Sequence, residues 1–150
     1  MKILKNENGH FHARLSTDEY DVLGNLLGLY PVIPKGYHRL SHGQDPSDDQ
    51  QLLNEAMEEN YTENKQLLQK FLTSDEFFTH DKKGISMQVT PDQFEWLLKI
   101  LNDIRVGLWL RLGSPDETDM DQYHRQKTDD PDVWAMELSG YLISILIQGD

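Results

Sequence analysis

The chain of 150 residues contains no cysteine. Disulfides, thiolate zinc sites, iron–sulfur clusters and cysteine nucleophiles are therefore excluded. Positive charge is scarce: 14 Lys and Arg stand against 26 Asp and Glu, a formal net charge of −12. No basic patch offsets that field, so nucleic acid and anionic membrane surfaces are disfavoured as partners. Long apolar runs are missing too. The longest, residues 140–147, is interrupted by Ser144 and is far too short to span a bilayer. The first residues, MKILKNENGHF, lack the apolar core of a signal peptide, and a soluble cytoplasmic protein is expected. There is no G-x-S-x-G, S-x-x-K, P-loop, G-x-G-x-x-G or H-E-x-x-H. The acidic run 116–121 lacks the central glycine and terminal glutamate of a calcium loop and reads as solvated. No cofactor is expected.

What is present describes one mainly α domain over residues 1–150. Residues 3–15 read as a hairpin turning at Asn8-Gly9, with Phe11, Ala13 and Leu15 on one face and His10, His12 and Arg14 on the other. Ser16 and Glu19 form a capping box for a first helix, in which Gly24 and Gly28, four apart, suggest a close helix contact. Residues 35–47 read as a loop. Apolar positions from Leu52 to Leu72 continue helically, as one bent helix or two. Residues 81–84 read as a turn, and Ile85, Met87 and Val89 as a third strand beside the hairpin. Residues 114–130 read as a mobile linker. Asp130-Pro131 starts the last helix, whose main face is Trp134, Leu138, Tyr141, Leu142 and Ile145; Gly140 and Ser144 permit close packing there.

Residues 90–113, TPDQFEWLLKILNDIRVGLWLRLG, form a complete helix with a T-x-x-Q capping box, a proline at the first position and a terminal glycine. At 100° per residue, Phe94, Leu97, Leu98, Leu101, Ile104, Leu108 and Leu112 share one sector. Trp96, Ile100, Gly107 and Leu110 lie on the other side, so the helix is central or covered by a second subunit. Arg105 falls on the apolar face and requires a partner; Glu137 of the last helix is preferred, in a buried pair to which Asn102 could hydrogen-bond. The alternative is an anion-binding arginine in a pocket. Asp103 points away and reads as solvated or paired across an interface. Asp103, Arg111, Trp96 and Trp109 are the candidate surface or interface residues. His10 and His12 share a strand face, but further ligands would be needed for a metal.

The string WLLKILNDIRVGLWLRLG resembles the central signature of a bacterial family of unknown function, WLxxLNDLRLxLGxRLG. Trp96, Leu97, Leu101, Asn102, Asp103, Arg105, Leu108, Arg111, Leu112 and Gly113 match it, and Trp109 departs from its glycine. The last helix resembles the family's C-terminal segment through Asp132, Val133, Leu138 and Leu142. The resemblance implies a mostly helical fold with no established enzyme activity. It also implies a genetic neighbourhood with an adaptor of the Clp protease, and a transcriptional-regulator label on some members that the acidic charge does not support.

Together these readings predict four or five helices around the 90–113 helix, with a small N-terminal β-hairpin of two or three strands. The expected function is a non-catalytic interaction or regulatory role, adaptor-like and linked to proteolysis, with a protein partner that includes a second copy of the chain as a candidate. The alternative is a small-ligand binder or enzyme built on a buried arginine pocket.

Overall fold

The computed structural model describes residues 1–5, 9–32, 48–125 and 129–148. The expected loop at 35–47 and most of the hairpin turn at 6–9 lie outside them. Strands β1 (Lys2–Lys5) and β2 (Phe11–Leu15) pair antiparallel, with Ile3 opposite Ala13. The alternation in β2 is realised: Phe11, Ala13 and Leu15 are buried, and His12 and Arg14 are half-exposed. The third strand is also present, as β4 (Gly84–Val89), which burying Ile85, Met87 and Val89 holds against β2.

A further strand, β3 (Phe78–Asp81), pairs with β4 and makes the sheet four-stranded in the order β1-β2-β4-β3. Phe78 is its only buried residue, so no alternation marks it in the sequence. The hairpin between them requires Gly84, whose φ is +138° and whose added Cβ would stand 2.8 Å from the Leu15 carbonyl oxygen.

Helix α1 (Thr17–Leu27) starts at the Ser16–Glu19 capping box and buries Leu23, Leu26 and Leu27. The close helix contact expected at Gly24 and Gly28 is not made. A Cβ on Gly24 would meet nothing within 4 Å, and one on Gly28 would meet only its own helix. The close approach lies elsewhere, where the Val32 backbone crosses α3 at Gly107.

Helix α2 (Asp48–Thr73) is one continuous helix of 26 residues, roughly 39 Å long. Among its described residues only Leu68 and Phe71 are buried, both near its C-terminal end. Phe71 meets Phe77, Phe78 and Trp96 at ring distances of 5.3, 5.0 and 5.9 Å, and the Tyr20 hydroxyl donates to the Leu72 carbonyl.

Helix α3 (Pro91–Arg111) has the Thr90–Gln93 capping box and the N-terminal proline, and runs through the core. Leu97, Ile100, Leu101, Ile104 and Leu108 are each fully buried. It packs most extensively on α5 (Pro131–Gln148). The ion pair Arg111–Asp132 and the approach of Arg105 to Gly140 make the two helices antiparallel.

Residues 117–125 are not a linker but helix α4 (Glu117–Arg125). Its start is a reciprocal box: the Asp119 amide donates to Asp116 and the Asp116 amide to Asp119. The acidic run that resembled a solvated loop is thus a helix start, where carboxylates meet the positive end of the helix dipole.

Candidate functional site

The buried sector of α3 is rotated by about 60° from the one the sequence suggests, toward Ile100 and Gly107. Arg105 therefore sits at its edge. Its stem lies across Gly140, 3.6 Å from where a Cβ would stand, and its guanidinium is exposed and donates to Asn102 Oδ1 at 2.9 Å. Glu137 is also exposed and contacts His124 of α4. The expected buried pair of Arg105 with Glu137 does not form, because the arginine reaches water along an apolar stem without needing a buried counter-charge. Nor does Arg105 line either cavity described below. Arg111 makes an exposed pair with Asp132 at 3.4 Å. Trp109 is partly exposed, its indole donating to the Pro115 carbonyl.

Helix α5 buries Ala135, Met136, Ser139, Leu142 and Leu146. Ser139 is satisfied within the helix by donating to the Ala135 carbonyl. The main face expected from sequence is split: Leu142 is buried, but Trp134 is 59% exposed and Tyr141 62%. Leu138 and Ile145 between them are only partly buried. These four residues are spaced 4, 3 and 4, the step of a helix–helix seam, and at 100° per residue they share a narrow stripe beside the buried face, where Leu138 and Ile145 pack against the core and Trp134 and Tyr141 stand exposed. The small pair of the sequence is also divided: Gly140 faces Arg105, whereas Ser144 is exposed.

A second region lies between α2 and α3, where Asn64 joins three partners. An indole nitrogen only donates, so Trp96 Nε1 at 3.2 Å fixes Asn64 Oδ1 as the acceptor. Asn64 Nδ2 then donates to the Tyr30 hydroxyl at 3.0 Å and to Asn60 at 3.2 Å. Clefts open on both sides of this junction. One, of about 550 Å³, is walled by Leu67, Phe71, Phe77 and Trp96. The other, of about 510 Å³, is walled by Tyr30, Met57, Tyr61, Val106 and Leu110, and Asp103 faces it. Burial pushes the Asp103 carboxyl above the ordinary carboxylate range, and Lys99 one turn away only partly offsets that. Burial likewise pushes Tyr30 up, against the lowering hydrogen bond from Asn64, and the Asp103 charge adds to the rise. Sequence reasoning placed Asp103 at the surface and missed Tyr30 and Asn64. The available signal was Asn64 itself, a polar residue in line with Leu68 and Phe71 on the inner face of α2.

Among the described residues no group of three or more His, Asp or Glu is placed to hold a metal ion, and no helix is long and apolar enough to cross a membrane. A family model described as a domain of unknown function, DUF2017, matches residues 1–147. The chain belongs to that family. No curated protein and no solved structure matches it. DUF2017 membership thus agrees with the resemblance to a family of unknown function.

Proposed function

We propose that this DUF2017 chain is a non-catalytic cytoplasmic interaction protein that pairs with a second copy of itself along α5. The observation that carries this is the stripe Trp134–Leu138–Tyr141–Ile145, on which Trp134 and Tyr141 are exposed while Leu138 and Ile145 reach back to the core. Large aromatic side chains at seam spacing on a surface helix favour a helical partner over water. A second copy suits this face because α5 carries only two charges, Asp132 and Glu137, and both already have partners in Arg111 and His124. Two such helices meet without like-charge contacts, although each chain carries −12 overall. The regulatory, adaptor-like role linked to proteolysis rests on the family resemblance, with the dimer as its working form.

The energetics place this dimer in a weak regime. Burying the exposed parts of Trp134 and Tyr141 in both copies removes about 500 Å² from water, roughly 12 kcal/mol gross. Fixing two bodies together costs at least about 4 kcal/mol, which leaves at most about 8 kcal/mol net and a dissociation constant no tighter than about 1 µM. Sedimentation equilibrium of the full chain should show a monomer–dimer equilibrium that salt strengthens, since screening relieves repulsion between the two acidic bodies. Tyr141→Asp should give a monomer with unchanged helicity. A wild-type chain that stays monomeric at about 100 µM would refute the proposal. Association that salt weakens would instead indicate opposite-charge contacts between the copies and would also refute this apolar seam.

A further inference from the structure

The Asp103 cleft shares no residue with the α5 stripe and has the composition of a small-molecule site. Its volume of about 510 Å³ lies within the range of ligand pockets, and its walls are mostly apolar and aromatic. Asn60 and Lys99 on those walls are exposed, and two less exposed polar features interrupt them. Asp103 is half-buried and accepts no hydrogen bond from any described residue. Lys99, which lines the same cleft, precedes it by four residues, the less favourable order for a helical ion pair, and makes no salt bridge with it.

The second feature is the Tyr30 hydroxyl. Tyr30 is 3% exposed, and Trp96 forces its oxygen to accept from Asn64. The hydroxyl proton is therefore left over, with no acceptor among the described residues. A buried donor and a desolvated carboxylate in one cleft are both costly until something pairs with them. We propose that this cleft binds a small organic ammonium compound that carries a hydroxyl or ether oxygen. Its ammonium group sits on Asp103, its oxygen accepts from Tyr30, and its carbon body lies against Tyr61, Met57 and Leu110. A purely anionic ligand is rejected by Asp103, and a purely apolar one leaves both polar groups unpaired.

Calorimetric titration of the full chain with three compounds of one shape tests this: 2-amino-1-phenylethanol, 1-phenylethanol and mandelate. The amine should bind saturably at one site per chain, the neutral alcohol at least about tenfold more weakly, and mandelate not at all. Asp103→Asn keeps the shape, removes a costly charge and should fold; it should lose about tenfold or more in amine affinity. Tyr30→Phe should lose several-fold. The acidic surface as a whole attracts any cation, but that attraction survives in Asp103→Asn, so equal amine binding by wild type and variant would overturn the proposal. So would equal binding of all three compounds, or no saturable heat from the amine at millimolar concentration.

Discussion

Three glycines inside helices provide a test of the packing in which one substitution should change sign with position. Alanine gains about 1 kcal/mol over glycine in a helix interior, wherever the new methyl group has room. On Gly24 of α1 the added Cβ meets nothing within 4 Å, and on Gly140 of α5 it meets only Arg105 Cδ at 3.6 Å, an ordinary contact. On Gly107 of α3 it would stand 2.2 Å from the Val32 carbonyl oxygen and 2.8 Å from the Val32 Cβ. A backbone carbonyl cannot swing aside as a side-chain tip can, so α3 and the 30–32 segment must separate. Overpacking of this kind costs roughly 1–3 kcal/mol and more when backbone has to move. After the propensity gain, Gly107→Ala should be destabilised by about 2 kcal/mol, while Gly24→Ala and Gly140→Ala should each gain up to about 1 kcal/mol. Urea unfolding followed by circular dichroism at constant m-value reads these differences directly. In thermal melts the gap between Gly107→Ala and Gly140→Ala should be about 6–12 °C for a chain of this size. If Gly107→Ala proved as stable as wild type, the approach of Val32 to α3 would be refuted, and with it one wall of the Asp103 cleft.

The same measurements extend to neighbouring residues. Leu108→Ala removes a fully buried side chain from α3 and should cost about 2–5 kcal/mol, whereas Arg105→Ala should stay within about 0.5 kcal/mol of wild type. A large loss for Arg105→Ala would return the arginine to a buried network. Folding raises the proton affinity of Asp103, so between the ordinary carboxylate pKa and its raised value the folded chain binds more protons than the unfolded one. Stability contributed by this group should fall as pH climbs through that window and stay lower above it. Asp103→Asn should therefore gain stability relative to wild type as pH rises from 4 to 7 in urea titrations; a pH-independent difference would show that Asp103 is solvated.

What could be read from the sequence was what is decided locally. Ser16–Glu19, Thr90–Gln93 and Asp130–Pro131 mark helix starts because a cap is complete within four residues. The hairpin and β4 were legible from alternation. Strand β3 was not, because one buried phenylalanine leaves no period. Helix α4 hid in a run of acids that looked like solvated loop, although Asp116 and Asp119 had the spacing of a capping box. The candidate sites were less legible still. Arg105 was assigned to the core from the sector that the helix's leucines suggest, whereas the burial of Ile100 and Gly107, the latter against Val32, turns the helix away from it. The Asn64 junction depends on residues 30, 64 and 96 meeting in space, which no local period encodes.

The order of strands in the sheet also bears on how the chain folds. Lys5 opposite Phe11 and Asp81 opposite Gly84 are short-range closures, but Leu15 opposite Ile85 joins residues about 70 apart. Closing that span costs about 2 kcal/mol more in chain entropy than closing a hairpin loop. Each two-stranded ribbon is marginal in water by itself. The intervening helices must first bring the two ribbons together, so β2 meets β4 late. Amide protection along the β2–β4 ladder during refolding is then a clock for assembly of the helical body rather than an independent event.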